Sequence, residues 1–146
     1  MSETNPQLIK SIKDVPNVDY YTSGHRTCAG CGASQIYRMA LLAAGPNTVV
    51  HGPTGCMYVG NAHQFLTSPY AVPWYHTKLG GGGGAAIGTS AAFRALMKKG
   101  KRKTEKINVI VFGGDGGTSD IGFGPLSMAM TYDYDFLYIL YDNESY

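Results

Sequence analysis

Ile107-Asn-Val-Ile-Val-Phe112-Gly-Gly-Asp-Gly-Gly117 decides how this chain folds. A run of this kind, apolar at every position but Asn108 and rich in β-branched residues, reads as a strand buried on both faces, as in parallel sheets covered by helices. A glycine-rich turn ends it. A helix is expected near Pro125–Thr131, followed by a second buried strand over Phe136–Tyr141. Strand, turn, helix and strand make a βαβ unit, which predicts a right-handed crossover, a parallel sheet and an α/β fold.

The turn Gly113-Gly-Asp-Gly-Gly117 leaves the end of a buried strand, which is where open parallel sheets bind their ligands. So little side-chain bulk lets backbone amides approach phosphate oxygens, and the following helix adds the positive end of its dipole. A diphosphate also needs a cation. Asp115, with Asn143 at the end of the next strand, supplies two hard oxygen ligands suited to octahedral magnesium. A Walker loop would need Gly-Lys-Ser or Gly-Lys-Thr, and a dinucleotide fingerprint would need GxGxxG opening the first helix. Neither is present.

Upstream, Ile36, Met39, Ala40 and Ala43 share one face of a helix predicted over Ser34–Ala44, with Ser34 as N-cap and Gly45-Pro46 as the stop. Thr48–Val50 reads as a short strand, and Cys56 as part of the loop after it. Residues 57–79 lack a period and read as irregular. From Gly84 an alanine-rich helix runs to Gly100. The preceding Gly80–Gly84 run is read equally as tight packing and as ligand contact. Residues 1–23 form a polar arm, and residues 24–146 one binding domain.

Cys28-Ala-Gly-Cys31 places two thiolates on a tight turn at a helix entrance, and Cys56 adds a third. Iron–sulfur clusters normally take four cysteines and structural zinc takes four cysteine or histidine ligands. On ligand count alone three readings stay open: part of a cluster, a zinc site completed by His25 or His51, and plain thiols. The chain of 146 residues is 44% apolar and 15% charged, which suits one globular domain. A formal charge of +2 is too small to argue for nucleic acid, and the basic run Lys98–Lys103 reads as a solvated helix end. No stretch is long and apolar enough for a bilayer span, and no secretion signal is evident, so a cytoplasmic, membrane-free protein is expected.

Ser23-Gly-His-Arg-Thr-Cys-Ala-Gly-Cys-Gly32, Val50-His-Gly-Pro-Thr-Gly-Cys56, Gly114-Asp-Gly116 and Tyr141-Asp-Asn-Glu-Ser-Tyr146 together resemble the thiamine diphosphate-binding subunit of 2-oxoacid:ferredoxin oxidoreductases. The resemblance implies a thiamine diphosphate-binding fold with a mainly parallel sheet flanked by helices. It implies magnesium held by Asp115, Asn143 and the carbonyl of Ser145, with Gly114, Gly116 and Gly117 against the diphosphate. It also implies a 4Fe-4S cluster on Cys28, Cys31 and Cys56, with a fourth cysteine expected beyond residue 146 in a longer subunit. The implied activity is oxidative decarboxylation of a small 2-oxoacid with electrons passed to ferredoxin, and coenzyme A takes part if the substrate is pyruvate. Activity would need other subunits of a hetero-oligomer. Ala33 and Gly80-Gly81 stand where many pyruvate-type members carry acids. With Lys78 nearby, a dianion such as oxalate is the competing substrate; His76 and Lys78 are the candidate substrate contacts. A non-redox thiamine diphosphate decarboxylase subunit and a zinc-binding interaction module are the alternatives.

Overall fold

The computed structural model describes residues 10–61, 68–103 and 106–144. Its centre is the strand read first from sequence. β3 (Asn108–Gly114) lies between β1 (Thr48–Pro53) and β4 (Leu137–Tyr141), and β2 (Trp74–Thr77) flanks β1. The order is β2-β1-β3-β4 and every pairing is parallel, with Val49 opposite Val109 and Phe112 opposite Ile139.

Successive side chains of β3 leave opposite faces of the sheet, so a continuous apolar strand must be covered twice. Ile110 and Phe112 pack with Tyr37 and Leu41 of α1 (Gly32–Ala44), Val50, Met57 and Tyr141. Val109 and Val111 pack with Ala86 of α3 (Gly82–Lys98), with Phe93 and Tyr138 beside them. α4 (Phe123–Thr131) lies against α3 and provides the crossover from β3 to β4. The α/β reading is therefore correct. Among the described residues no helix is long and apolar enough to cross a membrane.

Three local readings change. α1 begins at Gly32, and the Ser34 hydroxyl donates to the Cys31 carbonyl from inside the helix instead of capping it. Its buried face carries Tyr37 and Leu41, while Met39 is 64% exposed. A tyrosine buries a large ring whatever its hydroxyl does, so counting only aliphatic positions selected the wrong stripe. The stretch 57–79 is not uniformly irregular. It contains most of α2 (Cys56–Val59), which Cys56 opens, and β2, whose four residues are too few for a period to show. Finally, β4 is not buried on both faces: Leu137 and Leu140 are exposed because β4 is the outer strand of the described sheet.

Candidate functional site

β1, β3 and β4 are parallel, so the segments that follow them emerge at one end of the sheet. Cys56 follows β1, Asp115 follows β3, and Asn143 follows β4. Gly114 pairs with Tyr141, which puts Asp115 and Asp142-Asn143 just past the ends of neighbouring strands.

The turn after β3 has an unusual backbone. Asp115 is helical (φ −56°, ψ −54°) and leads into a π-helical turn, Gly116–Asp120, that closes with Ile121 N–H donating to the Gly116 carbonyl at 3.1 Å. Such turns are wider than an α-helix and recur at functional sites. Gly116, Gly117 and Thr118 are buried, and Thr118 shares a 3.0 Å hydrogen bond with the Tyr138 hydroxyl of β4. At the tip of β4, Glu144 takes φ 64° while its amide donates to the Asp142 carboxylate at 2.7 Å. This is an Asx-type turn, and Asn143 lies within it, exposed. Ser145 lies outside the described residues.

In the glycine run at α3, Gly80, Gly82 and Gly83 are explained by packing, while Gly84 has open space around it. Gly80, at φ +80°, has Gly122 backbone atoms 3.0 Å from where a Cβ would stand. Gly82 faces Val111 and Pro53, and Gly83 faces the backbone of Pro125 and Leu126 at 2.9 Å. These residues let the start of α3 cross α4 and the turn after β3 at backbone contact. Ligand contact is not needed to explain them.

The cysteines sit on two segments held together by backbone. Arg26 N–H donates to the Gly60 carbonyl at the end of α2 at 2.7 Å, and Cys31 N–H to the Cys28 carbonyl at 3.1 Å. All three thiols are free; Cys28 and Cys56 are exposed and Cys31 is half-buried. Among the described residues no three His, Cys, Asp or Glu side chains gather as ligands of a single ion. His51 does not join the cysteines. It is buried, bonded through Nε2 to Thr89 of α3 at 2.9 Å, and burial holds its pKa below the ordinary imidazole value. His25 stacks on Tyr21 with centroids 5.1 Å apart and bonds Thr27. A zinc site completed by His51 therefore has no geometric support among the described residues.

Sequence reading missed the residue that ties the two halves of the site together. Tyr141 ends β4, and its hydroxyl accepts the Met57 amide hydrogen at 3.0 Å. That amide is one of the N-terminal donors of α2 that no carbonyl within the helix can reach. The hydroxyl also stands beside Gly55, 3.3 Å from where its Cβ would be. One side chain thus fastens the Cys56 loop to the strand that leads into Asn143. Burial pushes the Tyr141 pKa up, so the hydroxyl is neutral across the physiological range. Tyr141→Phe is expected to leave the buried Met57 amide without an acceptor and to cost about 1–3 kcal/mol in denaturant unfolding. An unchanged unfolding midpoint would show that the bond is not made.

His76 and Lys78 lie at the end of β2. Lys78 is exposed, and its carbonyl accepts the Gly81 amide hydrogen at 2.8 Å. His76 is half-buried, stacked on Tyr58 of α2 with centroids 3.9 Å apart, and bonded to Thr54.

A model of the C-terminal TPP-binding domain of thiamine pyrophosphate enzymes matches residues 53–146. The chain is 46% identical over 141 residues to the pyruvate synthase subunit PorB of Methanocaldococcus jannaschii, covering 92% of this chain and 45% of that protein. It is 39% identical over 129 residues to the corresponding PorB of Thermotoga maritima, covering 86% of this chain and 40% of that one. It is 36% identical over 141 residues to the ketoisovalerate oxidoreductase subunit VorB of Pyrococcus furiosus, covering 97% and 45%. The chain spans less than half the length of each of these relatives.

Proposed function

We propose, since this chain belongs to the thiamine pyrophosphate enzymes and carries their C-terminal TPP-binding domain, that it is the cofactor-holding part of a 2-oxoacid:ferredoxin oxidoreductase subunit. In this reading residues 24–146 form the binding domain. Asp115, Asn143 and the Ser145 carbonyl hold magnesium, and the amides around Gly114, Gly116 and Gly117 receive the diphosphate. Asp, Asn and carbonyl oxygens are the hard donors magnesium prefers. Cys28, Cys31 and Cys56 supply three thiolates to a 4Fe-4S cluster, the fourth coming from outside this stretch. When bound, thiamine diphosphate supplies the electron sink for decarboxylating a 2-oxoacid. The chain's own part is to hold that cofactor and the electron acceptor at one end of the sheet.

The observation that carries this reading is the Tyr141–Met57 hydrogen bond, which fixes the Cys56 loop against the strand leading to Asn143. A decarboxylase without redox chemistry gives the three cysteines no purpose, and a zinc module gives the Gly-Asp-Gly turn none.

The substrate we propose is pyruvate, in keeping with the pyruvate synthase PorB relatives, with coenzyme A as acyl acceptor, ferredoxin as electron acceptor and further subunits completing the enzyme. The glycines at 80 and 81 are explained by packing, which removes part of the motive for a dianionic substrate. Lys78, exposed just past β2, is a cation at the strand ends that favours a carboxylate. The test is turnover of pyruvate, oxalate and 2-oxoglutarate by the anaerobically prepared complex, with Lys78→Met beside the wild type. A raised KM for pyruvate in the variant, at least roughly tenfold, is expected for a lost charged hydrogen bond. Preferred turnover of oxalate would overturn the substrate assignment.

A further inference from the structure

Thr54 and His76 form a pair that the reading above leaves unused. The parallel register sets Pro53 opposite Thr77, so the residue after β1 meets the third residue of β2 at the same end of the sheet as Cys56. The Thr54 hydroxyl lies 2.8 Å from His76 Nε2 and 3.2 Å from the Thr77 carbonyl oxygen, which also accepts the Thr54 amide hydrogen at 2.9 Å. On its face the imidazole stacks with Tyr58, and Trp74 lies nearly parallel, with centroids 6.3 Å from His76. Both the ring plane and one nitrogen are thereby fixed.

Counting protons decides which nitrogen carries hydrogen. A hydroxyl has one proton to give, and a carbonyl oxygen can only accept. If Thr54 donates to the Thr77 carbonyl, its oxygen accepts from Nε2–H and both bonds are made. If Thr54 donates to Nε2 instead, the Thr54–Thr77 carbonyl bond is lost and the hydrogen on Nδ1 of the half-buried ring is left to solvent. The first arrangement has one hydrogen bond more within the protein. Burial also lowers the His76 pKa, which keeps the ring neutral.

We propose that Thr54 is a positioning residue that locks His76 as the Nε2–H tautomer, making Nδ1 a standing lone-pair acceptor at the end of β2 for a hydroxyl or amino hydrogen of the bound ligand. The identity of that ligand rests on the thiamine reading; the tautomer does not. A lone pair repels a carboxylate, so His76 serves a donor group while the acid of a 2-oxoacid falls to a cation such as Lys78.

The test uses the complex prepared with ¹⁵N-histidine, with the His76 signal assigned by its loss in His76→Gln. Nδ1 is expected at the shift of an unprotonated ring nitrogen in the wild type and in Thr54→Ser. In Thr54→Val, which keeps the shape and loses the hydroxyl, it is expected to move toward the average of the two tautomers. kcat/KM for the 2-oxoacid falls at least roughly tenfold in the valine variant and is restored by serine, the scale on which supporting hydrogen bonds act. A protonated Nδ1 in the wild type, or an unmoved signal in the valine variant, overturns the lock. A lost lock with unchanged kcat/KM overturns the acceptor role. Absence of bound thiamine diphosphate would defeat the functional reading while the nitrogen shifts still decide the tautomer.

Discussion

Asp115→Ala is expected to abolish thiamine diphosphate binding at concentrations that saturate the wild type, with affinity lowered at least about 100-fold and turnover by the complex lost with it. A diphosphate brings several negative charges to the end of the sheet, and the buried glycine turn meets them with amides and a helix dipole but no side-chain cation. In the proposed site magnesium neutralises the remainder, and Asp115 is the one full negative charge among the three oxygen ligands proposed for it. Asp115 is half-buried at the end of β3, outside the apolar core, so the variant should still fold. Titration calorimetry with thiamine diphosphate and magnesium, beside circular dichroism for fold, separates the effects. Wild-type affinity in a folded variant would remove Asp115 from the site.

Gly122→Ala is expected to be the most damaging single methyl in the chain. A Cβ at this position would run into the Gly117 carbonyl oxygen and stand 2.7 Å from the Gly80 Cα. Both neighbours are backbone, so no rotamer relieves the clash, and the turn after β3 or the start of α3 must move. Overpacking of this kind costs about 1–3 kcal/mol and at times more, and here it displaces the amides assigned to the phosphates, so affinity should fall with stability. Gly88→Ala is the control. It sits in α3 with nothing within 4 Å of a Cβ, and alanine is worth about 0.8–1.0 kcal/mol over glycine inside a helix. Opposite signs in the two unfolding midpoints are the expected result; equal losses would mean that the glycine crossing is not the constraint described.

The parts legible in the sequence were those where local chemistry and tertiary role coincide. Ile107–Phe112 is apolar at every position but Asn108 because β3 has a helix layer on each face, and the Gly-Asp-Gly turn follows directly from the end of that strand. The parts that stayed hidden depend on distant partners. β2 is four residues long and gains its strand character from pairing with β1, which no periodicity encodes. Tyr37 reads as a surface tyrosine until Phe112 and Tyr141 are found edge-on against it at 4.8 and 5.6 Å. Tyr141 is one of eleven tyrosines in the chain, and nothing local marks it as the one that reaches the Cys56 loop. A usable signal was its place directly before Asp142-Asn143, where a side chain at a strand end overlooks the site. Thr54 had a weaker one, as the only hydroxyl in Gly52-Pro-Thr-Gly55.

The central claim is that an organic cofactor anchored at Asp115 and Asn143 lies within electron-transfer reach of an iron–sulfur centre held by Cys28, Cys31 and Cys56. The most direct measurement is the visible absorption of the anaerobically prepared complex, with bound thiamine diphosphate and magnesium, before and after pyruvate and coenzyme A are added. The account predicts a broad cluster absorption that bleaches on substrate addition, survives unbleached in Asp115→Ala, and is reduced or missing in Cys56→Ser. A preparation that lacks iron, or whose iron absorption stays unchanged when substrate is turned over, would contradict it.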